Sequence, residues 1–160
     1  MRITREAALP AGVEDAFAVV ESQDYQEAKV EPLPGSTATV TRTGDAVVVQ
    51  TTRVLPTAGM PGPVVSMVGD TLRIDEQQTW HPPTADGSRR ADIDLTVAGV
   101  PLRMRGTIDL SPAGTGSRLA FAGDLTCSIP LMGKKVEQAA QPAVVDSIDA
   151  EVRLLTERLA

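Results

Sequence analysis

The sequence predicts an α+β fold in which a curved antiparallel sheet of seven strands wraps a long C-terminal helix. Three observations predict it. Apolar residues recur at every second position through most of the chain from Thr37 to Ile129. The last segment, Leu131 to Leu159, instead carries them at helical spacing. Between the opening strand and the first alternating run lie two short segments with helical patterning. A sheet with one dry face and a helix with one apolar stripe must cover each other, so the order β-α-α-β-β-β-β-β-β-α implies one sheet closing around one helix.

Each element has its own signal. Ile3, Arg5, Ala7 and Leu9 alternate with Arg2, Thr4, Glu6 and Ala8, which reads as a first strand ended by Pro10-Ala-Gly12. Val13, Ala16, Phe17 and Val20 share one helical face. A second short helix is expected over Asp24 to Lys29, ahead of the Pro32-Leu-Pro-Gly35 breaker. Thr37–Thr43 and Ala46–Leu55 form strands joined at Gly44-Asp45, a tight hairpin turn. Pro56 to Gly69 reads as a loop with a helical turn at Val64–Val68.

Four more strands follow. Leu72, Ile74, Glu76, Gln78 and Trp80 share a face of the first, and Ile93, Leu95 and Val97 a face of the second. In the third, Leu102, Met104, Ile108 and Leu110 oppose Arg103, Arg105 and Asp109. In the last, Leu119, Phe121, Leu125, Cys127 and Ile129 oppose Arg118, Asp124, Thr126 and Ser128. Such alternation marks one wet and one dry side. The closing helix places Val136, Ala140, Ala143, Val144, Ile148, Val152, Leu155 and Leu159 on one stripe. Pro142 falls inside it and is expected to kink or divide the helix.

Composition narrows the function. The 160 residues suit a single domain over 1–160 with a sizeable core. Phe17, Tyr25, Trp80 and Phe121 are the whole aromatic set, so small branched residues must fill the interior or leave space in it. A net charge of -6 argues against a general nucleic-acid binder, which needs a dense positive surface. One cysteine and one histidine make an intramolecular disulfide impossible and a conventional zinc site unexpected. No apolar run approaches the ~20 residues that span a bilayer, and the N-terminus shows no signal-peptide pattern. A cytoplasmic protein without cofactor is expected.

The opening strand with Leu9-Pro-Ala-Gly-Val-Glu-Asp-Ala-Phe17, the strand Asp75-Glu-Gln-Gln-Thr-Trp80, and Ile129-Pro-Leu-Met-Gly-Lys-Lys-Val-Glu137 before the last helix together resemble the SRPBCC superfamily. This is the helix-grip fold of START and birch-pollen-allergen type, and the combination looks like a domain-of-unknown-function branch from actinobacteria. The resemblance covers the whole chain. It implies a cavity between sheet and C-terminal helix holding a lipid, sterol or polyketide-like molecule; some members are cyclases or dehydratases. Fold alone does not choose among these.

The residues offer one chemical lead. Glu76 and Gln78 share inward parity with Leu72 and Trp80. A carboxylate in an apolar cavity is costly unless partnered. Glu76 therefore orients a ligand hydroxyl, serves as a general acid or base, or simply sits at a wet mouth or against an arginine. Leu95, Met104, Phe121, Ala140 and Val144 complete the expected ligand-binding set, with Met60, Val64 and Met67 as a lid or as permanent core. Tyr25 is a remote second catalytic candidate. His81 reads as an exposed strand end and Cys127 as a buried thiol. Arg89, Arg90, Arg103 and Arg105 with Asp92, Asp94 and Asp109 read as a solvated outer face. Lys134 and Lys135 stand near the positive end of the last helix, where cations are disfavoured; an anion site and a fold-defining corner with solvated lysines both account for them. A binding protein needs mainly a cavity, an enzyme needs placed acids and bases, and a filled cavity would make the chain a structural or interaction module.

Overall fold

The computed structural model describes residues 1–30 and 34–160. In chain order these form β1 (Arg2–Leu9), α1 (Val13–Val20), α2 (Gln23–Val30), β2 (Thr37–Thr43), β3 (Ala46–Pro56), α3 (Gly62–Val68), β4 (Thr71–Trp80), β5 (Arg89–Val97), β6 (Val100–Ala113), β7 (Gly116–Cys127) and α4 (Gly133–Leu159). All seven strands join one antiparallel sheet in the order β1-β7-β6-β5-β4-β3-β2. Consecutive strands pair as neighbours from β2 onward, and β1 returns to the far edge beside β7. The fold class read from the sequence is the one observed. Part of the Pro32–Gly35 breaker lies outside the described residues.

Local chemistry explains the elements. Gly44 has φ 60 and opens the two-residue β2–β3 turn, where primed hairpin turns ask for a positive φ at the first central residue. Val13, Ala16, Phe17 and Val20 are buried on α1, while Glu14 and Asp15 favour its first turn electrostatically. Ser22 begins α2 by accepting the Tyr25 N–H on its Oγ at 3.2 Å. The 14 residues of β6 form one unbroken strand. Between β5 and β6 the register shifts at Thr96/Val97, an irregularity that increases local twist and helps the sheet curl.

The segment before β4 differs from expectation, and of the two outcomes expected at Pro142 division does not occur. The helical turn expected at Val64–Val68 is a seven-residue helix beginning at Gly62, with Pro63 in its first turn. Pro142 does not divide α4, which runs uninterrupted for 27 residues, roughly 40 Å at ~1.5 Å per residue. Pro142 and Gln138 are both exposed, so the Gln138 carbonyl that loses its helical donor can bond to water.

The corner before α4 is built by close approach. A Cβ on Gly133 would stand 2.3 Å from the Cys127 carbonyl oxygen, so no larger residue fits there. Leu131 takes a positive φ of 63, the only non-glycine among the described residues to do so. Lys134 and Lys135 are exposed. Glu137, on the next turn, accepts the Cys127 N–H at 3.2 Å and the Met1 ammonium at 3.2 Å, placing a carboxylate where it offsets the lysines.

One core cluster joins α1, α2, the inner sheet face and Leu155 of α4. A second gathers Val64, Leu72, Val97, Val100 and Val136, with Cys127 half-buried against it. Cys127 is thus a half-buried thiol rather than the buried one expected, because it ends its strand at the corner. Arg90 pairs with Asp109 at 2.6 Å and Arg103 pairs with Asp94 on the outer face. Arg89 departs from that set. It shares inward parity with Ala91 and lies over the Phe17 ring, 3.9 Å from its centroid, with Glu14 at 3.2 Å.

Candidate functional site: a cavity between the sheet and the C-terminal helix

Helix α4 packs against β1, β7 and α1. Towards β3, β4 and β5 a cavity of about 460 Å³ separates it from the sheet. That size falls among small-molecule sites, which run to roughly 300–1,000 Å³. Two sequence properties keep it open. The sheet side offers only one aromatic, Phe121, and α4 turns Ala139, Ala140 and Ala143 toward it. Ala139 and Ala143 are themselves exposed, so the cavity reaches solvent beside α4, and Met60 and Pro61 of the loop leading into α3 also line it. Most of the wall is aliphatic: Ile93, Leu95, Met104 and Leu125 from the sheet, Val136, Val144 and Ile148 from the helix.

One side of the cavity is polar, and its hydrogen bonds run in a fixed direction. Trp80 Nε1–H donates to Gln78 Oε1 at 3.1 Å, and Gln78 Nε2–H donates to Glu76 Oε1 at 2.7 Å. Period-two geometry puts all three on one face of β4. Across the strand pair, Thr51 stands opposite Glu76 and is buried. Two residues on, Arg53 bridges to α4, donating to Ser147 Oγ at 2.6 Å and to Glu151 Oε1 at 3.0 Å. Lys29, with its side chain only 3% exposed, lies 3.7 Å from the same Glu151 oxygen. Tyr25 donates its hydroxyl to the Glu151 carbonyl at 3.2 Å. Burial, and next the Glu151 carboxylate, push the Tyr25 phenol far above its ordinary value. It therefore keeps its proton and acts as a hydrogen-bond donor throughout the physiological range.

The residues singled out from sequence are distributed unevenly. Glu76, Gln78, Leu95, Met104, Phe121, Ala140 and Val144 all line the cavity, as do Met60 and Val64. Trp80 does not. It lies behind Gln78, its ring 5.4 Å from Phe17, and reaches the cavity only through its hydrogen bond. Met67 also falls away from the cavity and is 45% exposed, because Val64 and Val68 occupy the packed face of the short α3. His81 is an exposed strand-end residue with Nε2 2.7 Å from Asp92. Among the described residues no three His, Cys, Asp or Glu side chains gather as a metal site would require, and no helix is long and apolar enough to cross a membrane.

Residues 4–159 match the family model described as Protein of unknown function (DUF2505). The chain belongs to that family. No match to a curated protein was found. Among solved structures, this DUF2505 chain is similar to a protein from Thermus thermophilus, at TM-score 0.67 and 16% identity over 99% of this chain and 97% of that one. A STAR-related lipid transfer protein from Xanthomonas axonopodis gives TM-score 0.65 and 16% identity, covering 99% and 85%. The ZhuI aromatase/cyclase from Streptomyces sp. R1128 gives 0.63 and 10%, covering 99% and 93%. At such identities the likeness shows the fold alone, and that fold is the helix grip, a curved antiparallel sheet around a C-terminal helix.

Sequence reading passed over Arg53, Lys29, Ser147 and Glu151 of the DUF2505 chain. Signals existed for three of them. Arg53 continues the inward parity of Val47, Val49 and Thr51 along β3. Ser147 and Glu151 are four apart on α4, flanking the apolar stripe at Ile148 and Val152. Lys29 had no such signal, since α2 has almost no amphipathic pattern of its own.

Proposed function

We propose that this chain binds, and carries, a small hydrophobic molecule of lipid, sterol or polyketide-like kind in the cavity under α4. The observation that supports this most is an aliphatic cavity of about 460 Å³ open to solvent beside Ala139 and Ala143. Each buried methylene contributes roughly 0.8 kcal/mol, so even a modest ligand could be held without charged anchors. Leu95, Met104, Phe121, Ala140 and Val144 would contact its apolar body, Glu76 and Gln78 its polar end, and Met60 with Val64 would form the rim that it passes. The similar fold of the Xanthomonas axonopodis lipid transfer protein agrees with this reading. A cytoplasmic site of action and an actinobacterial branch belong to the same proposal; the latter rests on the three segments Leu9–Phe17, Asp75–Trp80 and Ile129–Glu137.

The test is displacement of an apolar fluorescent probe, combined with native mass spectrometry of protein taken directly from cells. Binding should be saturable, and Ala140→Phe, which projects a ring into the cavity, should weaken it at least about tenfold. A probe that binds the variant equally well would remove the cavity from the account.

A second reading has one observation behind it. Glu76 is a cavity carboxylate whose polar contact is Gln78 rather than a cation, and a protein of similar fold, ZhuI, is an aromatase/cyclase. In a cyclase- or dehydratase-like reaction Glu76 would exchange a proton with the substrate. Glu76→Gln should then abolish turnover while retaining binding; equal turnover would end the enzymatic reading.

A further inference from the structure

We propose that the ligand is a neutral amphiphile that presents a hydroxyl to Glu76, and that the cavity discriminates against the corresponding carboxylate. This rests on the ligand-binding reading and specifies its chemistry. The argument begins with Trp80. An indole N–H can only donate, so its 3.1 Å contact with Gln78 requires the carbonyl oxygen of the amide on that side. The Gln78 amide group is therefore held toward Glu76, to which it donates at 2.7 Å. A flipped amide would lose both bonds. The relay thus ends in a carboxylate that is acceptor-only when ionised, with one oxygen occupied and Glu76 lining the cavity.

The cations at this end are committed elsewhere. Arg53 and Lys29 both turn to Glu151. Asp146, which is exposed, lines the cavity as well, so two cations stand against three carboxylates, Glu76, Asp146 and Glu151, and an anionic ligand would add to that excess of negative charge. A carboxylate head group would meet the Glu76 carboxylate as a like charge. An ammonium would lose its hydration on entering a cavity whose wall is mostly aliphatic. A hydroxyl can donate to Glu76 without either cost. A site built to receive a hydroxyl rejects analogues that cannot supply one, because its own polar group is then left unpaired.

The experiment is displacement of an apolar fluorescent probe from the full chain at neutral pH by decanol, decanoate and decylamine, each below its aggregation limit. Decanol should compete at least about tenfold better than decanoate and better than decylamine. In Glu76→Gln, whose amide can donate as well as accept, decanoate should approach decanol. Wild-type protein that takes decanoate or decylamine as tightly as decanol overturns the proposal and leaves the cavity reading standing. Failure of all three to displace the probe overturns both. The wild-type ratio decides the matter by itself if the variant does not fold.

Discussion

The Arg53 guanidinium crosses from β3 to α4 and donates to Glu151 Oε1 at 3.0 Å, while Lys29 approaches the same oxygen at 3.7 Å. One carboxylate thus serves two cations, and with Ser147 it ties α4 to the sheet along the cavity's polar side. Removing it leaves both cations short of a partner, which costs more than an exposed pair would. Glu151→Gln should lower stability by about 2 kcal/mol, read from urea unfolding. An effect within about 0.5 kcal/mol, typical of exposed surface changes, would show that the bridge is not maintained in solution.

Glu137 supplies an acid-sensitive element. Burial would raise its carboxyl, but the Cys127 N–H, the Met1 ammonium and the charge of Lys134 outweigh it and hold the group below its ordinary 4.5. A depressed folded value means the contribution is present above about pH 4.5 and is lost as pH falls through that value toward the folded one. Glu137→Gln should therefore be less stable than wild type at neutral pH and lose less on acidification below 4.5. Parallel acid-unfolding curves would contradict the assignment.

Tyr25 is the chain's single tyrosine, so phenolate absorbance reports it alone. Its raised folded value, caused first by burial and then by Glu151, leaves stability intact below the unfolded value of 10.0. Stability then declines as pH rises above 10.0, because the unfolded chain ionises first. Phenolate absorbance should appear together with loss of helical circular dichroism rather than before it. A simple titration near pH 10 in the folded protein would show that the hydroxyl is open to water.

Leu131 is fully exposed, at 102%, and holds a φ of 63 at the corner before α4. An L-residue there costs roughly 1–2 kcal/mol against the right-handed alternative, whereas glycine tolerates it. Leu131→Gly should raise stability by about 1 kcal/mol at most, since glycine also makes the unfolded chain more flexible. A clear fall would mean that the leucine makes contacts the isolated chain does not show.

Period-two and period-3.6 patterns were sufficient for the strands, for α1 and for α4, because one side of each element meets an apolar partner. The inward set Glu76, Gln78, Leu95, Met104 and Phe121 was legible for the same reason: parity assigns a face. Parity could not show how far along the face the cavity extends, and so it included Trp80. Helical spacing in a segment as short as α3 likewise could not settle which flank packs, and Met67 was placed with the rim in error. Arg53 shows the opposite failure. Its inward parity was readable, yet a charged residue among threonines and valines carries no hint of a partner roughly a hundred residues away, Glu151.

By itself the sequence determined the class of fold, the succession of elements, which strand face is dry, and that few large side chains exist to fill the space between sheet and helix. Those are properties of local periodicity and composition. Only the tertiary structure decided where α4 stands off the sheet, which cations share Glu151, and that the Trp80–Gln78–Glu76 relay ends in an acceptor. Each of those depends on the distance between side chains brought together by the fold, and a hydrogen bond or ion pair exists only within a few tenths of an ångström of the right separation.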